Sequence, residues 1–229
     1  MAFGVDGRLV ASAAPDPEPA LVARGLPMVH FPPVGDPVAI LPHQLVRLAD
    51  GSPHAYAALT PDPESGRRPA GFASAAATDP AGRPVAFVTL EREAATAPGG
   101  LTYAVLAHAW DGGGWDVTDL SDGPLCTDDP ARPCIVTAAE FDAAGTLWMA
   151  VHRGGVAARG VDGVWHARHD ARNSPLRAPV AGIAAAPDGT LWLATAGGAL
   201  ALRDGRWSPA GRWHLPIAMQ VDRDAAPAR

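Results

Sequence analysis

Lysine is absent from this 229-residue sequence, in which all 18 basic residues are arginine. A chain without lysine can form no side-chain Schiff base and no P-loop, which excludes two classes of enzyme site. The arginines do not cluster into a basic stripe and the net charge is -6, so we expect no nucleic-acid partner. Long apolar runs are absent too, and none approaches the ~20 residues that cross a bilayer, so we expect no membrane span.

Helical periodicity is also missing. No long stretch repeats its apolar positions at the spacing of a helix. The 25 glycines and 24 prolines favour many turns over long helices. We therefore expect an all-β protein with almost no helix.

What the sequence does contain is a repeat. Gly145-Thr-Leu-Trp148 returns 44 residues later as Gly189-Thr-Leu-Trp192. Each copy continues with a double glycine, an apolar run that ends in arginine, and Asp-Gly-x-Trp, at Asp162–Trp165 and Asp204–Trp207. This order predicts strand, glycine turn, strand, Asp-Gly turn, strand. A period of ~40 to 45 residues with several short strands is typical of propeller blades, which bury their faces against neighbouring blades.

Small residues occupy the strands that precede each copy. Ala73–Ala77, Val136–Ala139 and Val180–Ala186 are rich in alanine, whereas Trp148 and Trp192 follow in the next strand. Space is least where blades converge on an axis and widens outward. The pattern therefore predicts a β-propeller of about five four-stranded blades, some of them incomplete.

The whole chain is expected to form one domain. The approximate blades are 1–33, 34–70, 71–121, 122–170 and 171–213, with a closing strand at 214–222. Leu26–Phe31 is expected to be the outer strand of the first blade, Pro32–Pro42 a connector, and His54–Leu59 a strand. The first blade lacks an inner strand, so we expect 215–221 to lie beside 8–13 and close the ring.

The second copy resembles a known family. Pro175-Leu-Arg-Ala-Pro-Val180, then Ile183, Asp188–Thr195 and Gly197-Gly-Ala199 are similar to the two-component-regulator propeller repeat. The copy around Trp148 resembles it as well. The family occurs in ligand-binding sensor regions of bacterial signalling proteins. The resemblance implies a propeller used for recognition, without a catalytic set.

Two cysteines enclose a short polar loop with two prolines, Cys126 to Cys134. We expect a disulfide here, which would indicate an extracytoplasmic location. The alternative is a pair of inert thiols in a cytoplasmic protein. A single pair at this spacing does not indicate zinc, and we expect no metal site and no cofactor.

Polar residues in the connectors and turns form the candidate ligand site. If the inner strands run in the usual direction, these residues share one rim of the ring, and a solvated loop edge is the competing interpretation. The candidate ligand-binding residues are His152, Arg153, Asp170, Arg172, Asn173, Asp128 and Asp129.

The tryptophans recur at fixed places in the repeat, which favours packing between blades over a stacking surface for sugars or bases. The residues expected to be structural are Trp148, Trp192, Trp165, Trp207 and Trp115, with the turn glycines Gly145 and Gly189.

The sequence therefore predicts a non-catalytic binding or sensing module for a small molecule, a glycan or a protein partner. One alternative is a propeller enzyme of the streptogramin lyase or lactonase type. That repeat resembles Trp-Phe-Thr-Glu, however, whereas Trp192-Leu-Ala-Thr195 stands here. Another alternative is a purely structural interaction platform. The oligomeric state is not predicted.

Overall fold

The structure is a computed structural model that describes residues 2–3, 9–10, 28–30, 36–61, 64, 69–93, 101–127, 133–152, 154–177 and 179–211. Within these residues the chain is all-β, and its one helical element is a 3-10 turn at Ala57–Leu59. The prediction of an all-β protein with almost no helix is confirmed. No helix in this part of the chain is long and apolar enough for a membrane crossing.

Eighteen strands occur in the described residues. In chain order they are β1 Ala2–Phe3, β2 Leu9–Val10, β3 Met28–His30, β4 Val38–Ile40, β5 Gln44–Arg47, β6 Pro53–Ala55, β7 Gly71–Thr78, β8 Pro84–Glu93, β9 Leu101–Trp110, β10 Trp115–Asp119, β11 Val136–Phe141, β12 Leu147–Val151, β13 Val156–Arg159, β14 Trp165–His169, β15 Val180–Ala185, β16 Leu191–Thr195, β17 Gly198–Arg203 and β18 Arg206–Gly211.

These strands form four four-stranded antiparallel sheets in chain order, namely sheet I (β3–β6), sheet II (β7–β10), sheet III (β11–β14) and sheet IV (β15–β18). Strands β1 and β2 form a separate antiparallel pair. The first strands of successive sheets are neighbours, because β3 contacts β7, β7 contacts β11 and β11 contacts β15. Consecutive sheets that meet through their first strands have the organisation of propeller blades.

Turn chemistry explains why the clearest hairpin forms where it does. The Asp142 carboxylate accepts hydrogen bonds from the N–H groups of Ala144 and Thr146, both at 2.9 Å. Gly145 takes a φ of 81°, which a glycine adopts without strain. The hairpin therefore closes β11 onto β12 and fixes which residues face each neighbouring sheet.

Apolar side chains fill the space between successive sheets. Met149 and Phe87 are fully buried between sheets II and III, whereas Leu193 and Ala150 are buried between sheets III and IV. Burial of a side chain of the size of methionine or phenylalanine stabilises the fold by roughly 1.5–3 kcal/mol. The Thr137 hydroxyl adds a direct link between two first strands, because it donates to the Val180 carbonyl at 2.5 Å.

The structure corrects the strand predictions near the N-terminus. Met28–His30 pairs with Val38–Ile40, so Leu26–Phe31 is not the outer strand of a preceding blade. Val38–Ile40 is itself a strand inside the expected connector, since its backbone pairs with both neighbours in sheet I. Of the predicted strand His54–Leu59, only His54 and Ala55 belong to a strand, because the chain turns into the 3-10 helix at Ala57.

The expected closing contact between 215–221 and 8–13 falls largely outside the described residues. Leu9–Val10 is described, and it pairs with Ala2–Phe3.

Candidate functional site

Four of the predicted rim residues are described, with His152 in the turn after β12 and Asp170, Arg172 and Asn173 in the connector after β14. The turn that carries His152 lies against Asp170, because a Cβ added at Gly155 would stand 3.4 Å from the Asp170 Cβ. Asp170, Arg172 and Asn173 share one loop. Asp128, Asp129 and Arg153 lie outside the described residues.

Hydrogen bonds within the loop engage most of these polar atoms. The Asp170 carboxylate accepts from the Arg172 N–H at 2.8 Å and from the Arg168 Nε at 2.9 Å, and these contacts hold the pKa of Asp170 below its usual range. The Asn173 amide accepts from the Asp170 N–H at 2.9 Å and donates to the Arg168 carbonyl at 2.8 Å. The first role of Asp170 and Asn173 is therefore to shape the connector.

The predicted disulfide is present beside this rim. Cys126 and Cys134 are bonded, with their Cα atoms 5.2 Å apart, and both residues are buried. The buried Thr89 hydroxyl donates to the Cys134 carbonyl at 3.2 Å, which ties the loop to β8. The disulfide loop is thus attached to sheet II at the point where the chain enters sheet III.

A cleft of about 490 Å³ opens between sheets III and IV, and we call it the III–IV cleft. Small and apolar residues make up most of its lining, together with a few polar side chains. It is lined by Asp142, Ala143, Ala144, Trp148, Ala167, His169, Ala185, Ala186, Pro187, Gly189, Thr190, Leu191, Leu202, Asp204 and Gly205. A concave, largely apolar space with a few convergent polar groups is the usual form of a small-molecule site.

The two aligned repeats explain why this space is open. The turn glycines Gly145 and Gly189 set the alignment, which places Ala185 where sheet III has Phe141. Phe141 packs into the core between sheets II and III, whereas Ala185 faces the III–IV cleft. Sheet IV therefore has a methyl group at the position where sheet III has a benzyl group, and the space between sheets III and IV is not filled.

Aromatic rings form one wall of the III–IV cleft. The Trp148 indole and the His169 imidazole are nearly parallel, at 13° with their centroids 6.4 Å apart. Trp207 meets His169 edge to face with centroids 5.2 Å apart. The Trp148 Nε1 donates to the Asp142 Oδ2 at 3.0 Å, which fixes the plane of the indole. The wall is therefore preorganised and offers aromatic surface to a ligand.

The charges that line the cleft are negative. Asp142 and Asp204 line it, and the Asp204 side chain is 90% exposed. Arg203 alternates along β17 with the cleft residue Leu202, and its guanidinium bonds Asp188 at 3.0 Å. Its Nε also lies 3.9 Å from the Asp204 Oδ2, so one positive charge stands at the edge of the cleft. Arg168 likewise alternates with the cleft residues Ala167 and His169, and it donates to the Pro124 carbonyl at 2.7 Å.

The histidines do not form a metal site in the described residues, where no group of three or more His, Cys, Asp or Glu side chains could hold an ion. His166 instead contacts Asp162, with the Nε2 and Oδ1 atoms 3.1 Å apart. Burial lowers the pKa of His169, so its imidazole is neutral at pH 7.

The tryptophans have different surroundings. Trp165 packs against sheet II and donates to the Asp122 carboxylate at 3.1 Å, and Trp115 donates to the Ala55 carbonyl of sheet I at 2.7 Å. Trp148 and Trp207 line or adjoin the III–IV cleft, whereas Trp192 is 44% exposed on the opposite face of sheet IV.

Sequence reasoning did not find the III–IV cleft. Its alanines and glycines have no functional groups that would mark a binding site in a sequence. The periodic placement of Trp148 predicts only packing between blades. The one available signal was the exchange of Phe141 for Ala185 between the aligned repeats.

No protein-family model matches the chain, and no curated protein matches it. Several solved structures are similar to it at low identity, among them the following three. The extracellular domain of the putative hybrid two-component system BT3049 from B. thetaiotaomicron shares 13% identity over 80% of this chain, with a TM-score of 0.42. YCF48 bound to D1 peptide shares 18% over 79%, with a TM-score of 0.39. A luciferin-regenerating enzyme shares 13% over 76%, with a TM-score of 0.35.

The matches cover 28%, 65% and 71% of those three chains, respectively. The present chain is thus much shorter than the BT3049 domain. The three proteins differ in what their names describe, and the likeness assigns no function to this chain.

Proposed function

We propose that this chain is a non-catalytic binding or sensing module, built as a single β-propeller domain of about five blades. Closure of the ring by 215–221 beside 8–13 is part of the proposal. The observation that carries it is the III–IV cleft, which offers about 490 Å³ of preorganised, mostly apolar space beside an aromatic wall. Such a space suits a small molecule, one sugar unit of a glycan, or a single side chain of a protein partner.

The carboxylate of Asp142 supports a role in recognition. It accepts hydrogen bonds from two backbone N–H groups and from the Trp148 indole, and these bonds fix its position in the wall of the cleft. One of the about four acceptor sites on its two oxygens is left for a hydrogen bond from a ligand.

The connector rim is proposed as a second contact surface for the same ligand or partner. It contains His152, Asp170, Arg172 and Asn173, and in the sequence also Arg153, Asp128 and Asp129. Arg172 is exposed in this rim and carries its positive charge. The disulfide favours an extracytoplasmic location for the module, because such bonds persist in oxidising compartments.

A thermal-shift screen tests the proposal. The full chain is heated with a panel of sugars, amino acids, amines and short peptides, and hits are confirmed by calorimetry. A ligand present at ten times its Kd stabilises the folded state by about 1.4 kcal/mol. For a domain of this size that corresponds to an increase in Tm of about 3–6 °C. A panel in which no compound raises the Tm contradicts a small-molecule binding module.

Arg172→Ala separates the two surfaces. Ligands of the cleft should bind this variant as they bind the wild type, whereas a ligand that spans the connector rim should bind it more weakly. An unchanged affinity for every ligand found would remove the rim from the proposal.

A further inference from the structure

The III–IV cleft combines an aromatic wall with negative charge, and this combination selects a chemical class of ligand. Resting on the proposed function, we infer that the cleft binds a small organic cation, in which an ammonium or guanidinium group is carried on an apolar body. The apolar body would occupy the space beside Trp148, Leu191 and Leu202, and the cation would lie toward the Asp142 and Asp204 carboxylates.

The open space of the cleft corresponds to a missing benzyl group. Phe141 fills the corresponding place between sheets II and III, and Ala185 leaves it open between sheets III and IV. A ligand with an aromatic or aliphatic body of similar size would restore the contacts that the sister interface makes with its own side chain. Such burial is favourable in proportion to the apolar area removed from water.

The acidic and basic side chains around the cleft favour a cation over an anion. Asp142 has about four acceptor sites on its two oxygens, and the three hydrogen bonds described use three of them. Asp204 projects from the turn between β17 and β18 with 90% of its side chain exposed, and its Oδ2 lies 3.9 Å from the Arg203 Nε, a distance that leaves the carboxylate able to accept from a ligand. No arginine is among the residues that line the cleft. A cation there meets carboxylates and the indole face, both of which attract it, whereas an anion would be repelled.

His169 adds no opposing charge at neutral pH. Its imidazole lies between the Trp148 and Trp207 rings, and burial lowers its pKa. The cleft therefore remains without a positive side chain on its wall above pH 7, where the affinity for a cation should be greatest.

Three probes of similar shape test the inference on the full chain. Phenethylammonium carries the cation, 2-phenylethanol is its neutral counterpart, and 3-phenylpropionate carries a negative charge. Calorimetry should give a Kd in the low millimolar range for the ammonium, as expected for a ligand of this size. The alcohol should bind about tenfold more weakly, which is the range of a cation–π contact reinforced by a carboxylate. The carboxylate probe should not bind.

Ala185→Phe tests the location. The new side chain reproduces Phe141 of the sister sheet, so the variant should fold, and it should weaken binding of the ammonium at least tenfold. Ala184→Phe is the matched control, because Ala184 is the adjacent strand residue, is exposed and does not line the cleft. That variant should bind the ammonium as the wild type does.

Asp204→Asn tests the charge without filling the space. Asparagine tolerates the left-handed φ of 51° that Asp204 adopts, so the fold is preserved. The variant should bind the ammonium several-fold more weakly and the alcohol equally well.

The outcomes separate this inference from the proposed function. Equal binding of the ammonium and the alcohol, or an ammonium affinity that Ala185→Phe leaves unchanged, overturns the cation site. Sugars or peptides that raise the Tm in the screen would then still support a binding module, with a different class of ligand. Absence of binding by every probe and every panel compound contradicts both.

Discussion

His108 lies fully buried between sheets I and II, and its protonation should destabilise the fold. The ring is 0% exposed, its Nε2 accepts a hydrogen bond from the Ala58 N–H at 3.3 Å, and it meets Tyr56 with centroids 5.6 Å apart. Burial lowers the pKa of His108 to about 4. The imidazole is therefore neutral in the folded chain at pH 7 and regains its ordinary pKa on unfolding.

The sign and size of the effect follow from these two pKa values. Between pH 6.5 and about pH 4 the unfolded chain binds a proton at His108 that the folded chain does not. The free energy of unfolding should therefore fall as the pH is lowered through this interval. One pKa unit corresponds to about 1.4 kcal/mol, so the full interval corresponds to about 3 kcal/mol.

Other titratable groups also change the free energy of unfolding with pH, some in the opposite direction and some in a different pH range. His169 has a pKa lowered by burial and adds to the same loss. Burial raises the pKa of Glu140, so its folded form gains relative stability as the pH falls through the carboxylate range. Asp162 and Asp188 accept backbone N–H groups that lower their pKa values below 3.8, and the stabilisation they give is lost only in stronger acid. Because the folded chain protonates Glu140 above pH 4.5, this residue offsets part of the loss in the same interval. Glu140 is present in wild type and in a His108 variant alike, so the difference between their profiles reports on His108.

Urea unfolding at several pH values from 7 to 4.5 measures this effect. The wild type should lose stability steeply, whereas His108→Gln should show a much flatter profile because the buried titrating group is gone. His166→Gln is the matched control, since the His166 side chain is 52% exposed, and it should keep the wild-type slope. Parallel profiles for wild type and His108→Gln would refute the reasoning.

Three further changes test the packing of the sheets. Gly71→Ala should lower the free energy of unfolding by about 1–3 kcal/mol in thermal melts, because the added Cβ would stand 2.6 Å from the Thr89 carbonyl oxygen. Gly182→Ala is its control on the first strand of sheet IV. There the added Cβ meets nothing closer than 3.7 Å, so this variant should melt as the wild type does. Thr137→Val should cost about 1 kcal/mol in urea unfolding, because it removes the hydroxyl that links β11 to β15. Reduction of the disulfide, whose cysteines are eight residues apart, should lower the free energy of unfolding by about 2.5 kcal/mol, with mass spectrometry after alkylation as the check on the redox state.

The regular part of the fold was predictable because local chemistry and tertiary packing agree there. In sheet III, Asp142 and Gly145 specify the turn, and the alternating residues of β12 specify its two faces. Sheet I lacks such agreement. Val38–Ile40 has only three residues, too few to show a period, and prolines stand close by on both sides. Its strand forms because β3 and β5 pair with it, and that partnership is not encoded in the segment alone.

The candidate site was less predictable for a related reason. Sequence reasoning selects residues that carry chemistry, and it selected the polar side chains of the connector rim. In the structure, Asp170 and Asn173 use their polar atoms to hold that connector. The III–IV cleft depends on the absence of a large side chain at Ala185, and an absence becomes visible only when the two repeats are compared position by position.

The same comparison shows that the position of a sheet in the array decides the role of a repeated residue. Trp148 and Trp192 occupy equivalent places in the repeat, and each faces away from the preceding sheet. Trp148 faces sheet IV, whose small residues leave room beside its indole, and it becomes part of a cleft. Trp192 faces the other side of sheet IV, where no further sheet stands among the described residues, and 44% of its surface is exposed. An indole lines a cleft here only when the next sheet covers it incompletely, so the III–IV cleft arises from a difference between the repeats.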